Sequence, residues 1–237
     1  MNKKLLLSKL NAIQLRKLMA WKCPLKGHGS HSGLEHYSCY CKLNKIDLEE
    51  RILFYDIETE DLNADYGIMF NWYAIDNKGN KFEDYITLDD IKKNKSSNRD
   101  IEPKEDKRIV QSLVDLISKY DRVVGHYACG FDTPFTRTRA VICGVDFPNY
   151  GVIFQSDTWV FLKKKFKLSR NSLENGCRKL LGNTHKDRLS LAIKHGILRG
   201  EQWAINDSRK HCKQDVIDLV NLYNKIAFSS KSTKSSI

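Results

Sequence analysis

Apolar positions along the chain change period several times, and the changes mark its elements. Arg51-Ile52-Leu53-Phe54-Tyr55-Asp56-Ile57 is dense in β-branched and aromatic side chains and predicts a strand. Two more strands are expected over 66–75 and 81–87, with Asn77-Lys78-Gly79-Asn80 as the hairpin turn between them. Residues 89–102 are rich in Lys, Asn and Ser and read as loop. From 104 to 120, Ile109, Leu113, Leu116 and Ile117 fall at helical spacing with one buried stripe. A short strand at 122–126, a helix after Pro134, a fifth strand at 152–156 and several helices follow, the last over 206–226. Ahead of this block, residues 5–20 predict a short amphipathic helix offering Leu10, Ile13, Leu15 and Leu18 for packing. The order of elements predicts an α/β fold built on a mixed sheet, hairpin-linked strands first and crossovers after.

Length and charge narrow this. At 237 residues the chain holds one sizeable α/β domain and a small appendage. The expected division is 1–50 for the N-terminal helix and a Cys/His-rich module, 51–228 for the main domain, and a disordered Ser/Lys tail over 229–237. A net charge of +11 directs attention to a polyanionic partner, although a Lys-rich composition alone also produces it. The apolar run Leu5-Leu6-Leu7 breaks at Ser8-Lys9, and no stretch is long enough to span a bilayer, so an intracellular, cytoplasmic protein without membrane contact is expected. Seven cysteines, an odd number with three near histidines in the N-terminal region, favour thiols and a metal site over a disulfide framework.

Three acidic pieces carry the candidate chemistry. Asp56 and Glu58 are two apart on the first strand and share a face. Paired carboxylates of this kind suit Mg²⁺ or Mn²⁺, although Asp-x-Glu also occurs as a solvated strand end. Asp132, in Gly130-Phe131-Asp132-Thr133-Pro134-Phe135, stands where a helix begins; on its own it reads as a helix N-cap. His211 and Asp215 are four apart in the last helix and share one face, as a surface i,i+4 pair also does.

Taken in order, these pieces resemble the DEDD (DnaQ-like) 3′-5′ exonucleases, the superfamily that includes polymerase proofreading domains. Phe54-Tyr55-Asp56-Ile57-Glu58-Thr59 resembles the first motif. Val124-Gly125-His126 leading to Phe131-Asp132-Thr133-Pro134-Phe135 resembles the second, and Cys212-Lys213-Gln214-Asp215-Val216 the third. Ser172-Leu173-Glu174 and Cys177-Arg178-Lys179-Leu180-Leu181-Gly182 resemble the connecting helix. The likeness covers roughly 51–227 and is to stand-alone phage and archaeal-type members. It departs from the pattern twice. His211 is separated from Asp215 by three residues, the spacing of the subgroup that carries tyrosine, and Tyr127 stands where Asn is frequent.

The resemblance implies a ribonuclease-H-like mixed five-stranded sheet flanked by helices. It implies 3′-5′ hydrolysis of phosphodiester bonds in DNA, or RNA, with two Mg²⁺ or Mn²⁺ held by Asp56, Glu58, Asp132 and Asp215. His211 is then the general base for the attacking water. A polymerase or other replication or repair proteins acting in trans are the expected partners. Arg137 and Arg139 follow the second motif and are candidate phosphate contacts, as is the basic run Lys163, Lys164, Lys165 and Lys167; a solvated helix face explains both as well. Trp72, Tyr73, Trp159 and Trp203 are candidates for base stacking, with core packing the commoner use of such residues. Two other readings stay open: a catalytically inactive nucleic-acid-binding protein, and a ribonuclease-H-like endonuclease.

The N-terminal module holds Cys23, His28, His31, His36, Cys39 and Cys41 within nineteen residues. Cys23, His31, His36 and Cys39, with His28 as the alternative to His31, make a four-ligand set for a structural Zn²⁺. A polar segment this short has little core of its own, so a metal would account for its order.

Overall fold

The computed structural model describes residues 18–25, 34–43, 50–93, 104–149, 152–182 and 189–230. The chain divides into two compact units, Met1–Glu50 and Arg51–Ile237. In the first, residues 18–20 are helical and α1 spans Tyr37–Leu43. Leu18 and Tyr40 are buried, and the Trp21 and Tyr40 rings meet edge to face at 5.3 Å. Most of the helix expected over 5–20, together with His28, His31 and the tail from 231, lies outside the described residues.

The second unit is built on a five-stranded sheet in the order β3-β2-β1-β4-β5. Strand β1 (Ile52–Thr59) pairs antiparallel with β2 (Met69–Asp76), which pairs antiparallel with β3 (Lys81–Tyr85). On its other side β1 runs parallel to β4 (Arg122–Gly125), and β4 to β5 (Phe154–Asp157). Two-residue alternation sorts β1 between two cores. Leu53, Tyr55 and Ile57 pack with Trp72 and Ala74 against α3 (Lys107–Ile117) and α4 (Asp132–Cys143). Phe54 joins Tyr73, Ile75 and Val124 under Cys212, Val216 and Leu219 of α8 (Gln202–Ser230). With helices over both faces, every residue of β2 is buried.

Between these elements run α2 (Leu88–Lys93), α5 (Thr158–Lys165), α6 (Leu173–Leu180) and α7 (Leu191–Leu198). Helix α2 falls at the start of the segment expected to be loop. Thr87 and Asp90 form a reciprocal cap: the Asp90 amide donates to Thr87 Oγ1 at 3.2 Å, and the Thr87 amide to the Asp90 carboxylate at 2.9 Å. Arg108 binds the same carboxylate at 2.8 Å. The hairpin turn is where the sequence put it, with Gly79 at φ +86° in the left-handed region. Helix α8 exceeds the expected 206–226 at both ends; at its start Ala204 and Ile205 extend the buried stripe that runs through Ser208, Cys212, Val216, Leu219, Leu222 and Ile226.

Arg139 corrects an expectation. Its side chain is 0% exposed and cannot meet a phosphate. The guanidinium grips Asp106 through Nε at 2.9 Å and Nη2 at 2.6 Å, and reaches the Ala64 carbonyl at 3.1 Å. Asp106 also accepts the Met69 amide at 2.8 Å, so one buried ion pair ties α4 and the approach to α3 to the start of β2. Arg137, two residues earlier on the same helix, is exposed with its guanidinium 5.4 Å from the Phe147 ring centroid. Arg139→Ala is expected to cost about 3–5 kcal/mol in urea unfolding by stranding the Asp106 charge. Arg137→Ala should stay within about 0.5 kcal/mol.

Candidate active site

Strand β4 stops at Gly125, whose parallel partner Asp157 ends β5, while β1 runs on to Thr59. The last residues of β1 therefore keep an open edge toward β4. A backbone N–H there needs an acceptor, and Asp132 supplies it: the Ile57 amide donates to Asp132 Oδ1 at 3.3 Å. Asp132 is the first residue of α4 and is 4% exposed, and its N-cap is Phe131. The carboxylate thus reaches across to the strand as well as meeting the amide of its own residue. It lands beside the residue that separates Asp56 from Glu58.

Asp56 and Glu58 share the face of β1 that carries Phe54, the face covered by α8. A bulge in the β1–β2 pairing falls between Glu58 and Thr59. From α8, His211 Nδ1 lies 2.8 Å from Glu58 Oε1 and 3.6 Å from Asp215 Oδ2. Glu58, His211 and Asp215 each offer a ligand atom within 4.8 Å of the others. The Cys212 thiol sits beneath, 3.3 Å from the Asp56 carbonyl oxygen. Opposite Glu58 on β2, buried Asn71 accepts from Ser208 Oγ at 2.5 Å, fixing α8 against the sheet one turn before His211.

Three of the four carboxyls hold their protons far above the ordinary carboxylate range. Burial pushes Asp56 well up, and the charges of Asp132, Glu58 and Asp215 add to it. Asp132 is raised to about 7, mainly by burial, against hydrogen bonds from its own amide and the Ile57 amide and with help from Asp157 and Glu58. Asp215 is raised to about 6 by burial and by Glu58 and Asp218, with His211 opposing. These groups are close enough to repel one another. Carboxylate oxygens crowded in this way fit hard divalent cations such as Mg²⁺ or Mn²⁺.

Asp157 is a carboxylate whose importance the motifs did not reveal. It caps α5 by accepting from Trp159 N at 2.9 Å, and it also accepts from Tyr127 N and Cys129 N at 2.9 Å each. That clamp shapes the turn leading into Asp132. Its position between a strand and a helix was the only signal. Tyr55 and Gln155 hold Thr133 Oγ1 at 2.8 and 2.6 Å, fixing the first turn of α4. Trp72 and Tyr73 are core, Trp159 is half-buried and Trp203 is exposed.

A family model described as RNase_H superfamily matches residues 53–227, nearly the whole second unit. The chain belongs to the RNase_H superfamily. A comparison with curated proteins finds no match. Among solved structures, this RNase_H-superfamily chain is similar to the family B DNA polymerase of the hyperthermophilic archaeon Pyrobaculum calidifontis, at 16% identity and a TM-score of 0.55. The similarity covers 76% of this chain and 25% of the polymerase, so the chain spans about a quarter of that enzyme. The ribonuclease-H-like sheet expected from the motif order is the one observed, and membership in the superfamily supports a nuclease that uses divalent metals.

In the first unit, ligand atoms of Cys23, His36 and Cys39 lie within 4.8 Å of one another. Three of the expected zinc ligands are thus together. Thiolates with imidazole fit Zn²⁺ better than a hard cation. The proposed fourth ligand, His31 or His28, lies outside the described residues.

Without bound cations, native Asp132 and Asp215 take up protons that the unfolded chain has already released. Their contribution therefore destabilises the metal-free fold progressively from about pH 4 to about pH 7. Magnesium chloride should raise the melting temperature by an increment that grows between about pH 5 and about pH 8. In Asp132→Asn that growth should shrink. A constant increment in both proteins would show that the acidic cluster does not bind the ion.

Proposed function

We propose that the chain is a 3′-5′ exonuclease acting on DNA or RNA with two Mg²⁺ or Mn²⁺ ions. The observation that carries this reading is the bond from the Ile57 amide to Asp132, which draws a carboxylate from α4 to the strand that bears Asp56 and Glu58. Asp215 joins them from α8 through His211 and Glu58. A buried like-charge cluster assembled from three elements is costly unless cations compensate it.

In this reading Asp56, Glu58, Asp132 and Asp215 hold the ions. When bound, the ions neutralise charge at the scissile phosphate and favour ionisation of the attacking water. His211 takes the proton from that water as its oxygen attacks phosphorus. The P–O3′ bond breaks and the departing O3′ takes a proton from solvent, releasing a nucleoside 5′-monophosphate and leaving a 3′ hydroxyl on the shortened strand. The Glu58 contact at 2.8 Å holds the imidazole facing the acidic cluster. Arg137 remains a candidate phosphate contact on an exposed helix face. A polymerase or repair complex acting in trans is the partner we propose. Zn²⁺ at Cys23, His36, Cys39 and His31, or His28, is proposed as a structural ion ordering the first unit.

Linear single-stranded oligonucleotides labelled at the 5′ end should yield a ladder shortening from the 3′ end with Mg²⁺ or Mn²⁺, and single-stranded circles should survive. Cutting of the circle would mean an endonuclease, and inertness toward both would mean a binding protein. Asp56→Ala and Asp215→Ala should each lose about 10³-fold or more in rate without unfolding. His211→Ala should lose about 10²- to 10⁴-fold. Elemental analysis of protein purified without chelator should find about one zinc per chain, and less in Cys39→Ser.

A further inference from the structure

Tyr127 is the sole non-glycine residue with positive φ among the described residues, at +63°. A tyrosine in the left-handed region is strained, where Gly or Asn would rest easily. The turn enforces it. The Tyr127 amide donates to Asp157 Oδ1 at 2.9 Å, and its carbonyl accepts from Gly130 N at 2.9 Å and Phe131 N at 3.0 Å. Strain held by surrounding structure is characteristic of functional positions.

The side chain is not spent on the core. It is 49% exposed and meets the half-buried Trp159 ring edge to face, centroids 5.2 Å apart. Lys163 Nζ stands 4.7 Å from the Trp159 centroid. The phenol ring lies over Gly130, where a Cβ would stand 2.5 Å from Tyr127 Cζ, so only glycine leaves room. Gly130 is two residues from Asp132 in sequence, and Cys129, in the same turn, feels the charges of both Asp157 and Asp132. A rigid aromatic pair with a cation over one ring therefore stands at the approach to the acidic cluster.

We propose that Tyr127 and Trp159, with Lys163, form a stacking platform for an unpaired nucleobase of the strand being degraded. The substrate class rests on the nuclease reading; the contacts among Tyr127, Trp159 and Lys163 are observed independently of it. Stacking on aromatic faces tolerates any base, and the lysine adds attraction for the backbone. The platform thus favours single-stranded or frayed ends over paired ones, without sequence preference.

The test uses full-length protein and oligonucleotides carrying 2-aminopurine near the 3′ end. Binding to the Asp56→Ala protein should change 2-aminopurine fluorescence as the base stacks. The added substitutions Tyr127→Ala or Trp159→Ala should abolish that change and weaken binding about 5- to 150-fold. Tyr127→Phe should restore both. In otherwise native protein, Tyr127→Ala should raise KM by a similar factor with a smaller change in kcat. Tyr127→Gly, which releases the backbone strain, should melt no lower than the native protein yet share the binding defect, a result that a purely structural role would not give. Unchanged fluorescence and KM in Tyr127→Ala would overturn the platform while leaving the nuclease standing. Stacking without any cleavage by native protein would overturn the nuclease and keep the platform, and failure to bind any oligonucleotide would overturn both.

Discussion

Strand β1 outruns its parallel neighbour, and the hydrogen bond from the Ile57 amide to Asp132 resolves the backbone donor left at that open edge. Meeting that demand with a carboxylate brings a charge to the same strand end as Asp56 and Glu58, away from water. Local backbone satisfaction and electrostatics thus pull in opposite directions at one spot. The charge of Asp132 adds to the raised proton affinity of Asp56, and the imidazole of His211 lies against Glu58 at the same strand end. Of these groups, Glu58, His211 and Asp215 already offer ligand atoms within 4.8 Å of one another.

Much of this was legible from local pattern. The hydrophobic density of 52–57, the turn around Gly79 and the stripe through Ile109, Leu113, Leu116 and Ile117 each depend on neighbours a few residues away, and each element formed as read. Boundaries were less legible. Strand β2 begins at Met69 and not 66, since the preceding turn is closed by the Gly67 amide bonding the Asn63 carbonyl at 2.9 Å. Helix α4 begins at Asp132, with Pro134 in its first turn, where its missing N–H costs nothing. The motif order pointed to Asp56, Glu58, Asp132, His211 and Asp215, and the fold brings these side chains to one end of the sheet.

What escaped the sequence depends on long-range partners. Arg139 looked like a surface cation because Asp106, thirty-three residues earlier, gives no local sign of meeting it. Asp157 drew no reading from the sequence, because the backbone amides of Tyr127 and Cys129 that it binds lie about thirty residues earlier. Tyr127 showed only as a departure from a motif; its backbone angle, exposure and neighbour Trp159 supply a physical reading of that departure. The Cys/His module resisted the opposite way: its spacing fitted no common pattern, yet Cys23, His36 and Cys39 converge in space.

Helix α8 runs for 29 residues, with His211 and Asp215 near its middle and Ser208 and Cys212 bound to the sheet on the same side. A helix turns about 100° per residue, so its angular phase is shared by every side chain along it. Adding or deleting one residue between Cys212 and Asp215 would rotate Asp215, with Val216, Leu219, Leu222 and Ile226, about 100° away from the side that carries Ser208, His211 and Cys212, and the helix could dock one half of its stripe or the other but not both. Length in this helix is therefore quantised by chemistry at its centre: evolution can lengthen its far end beyond Ile226 freely, whereas the span from Ser208 to Ile226 admits substitutions and no indels.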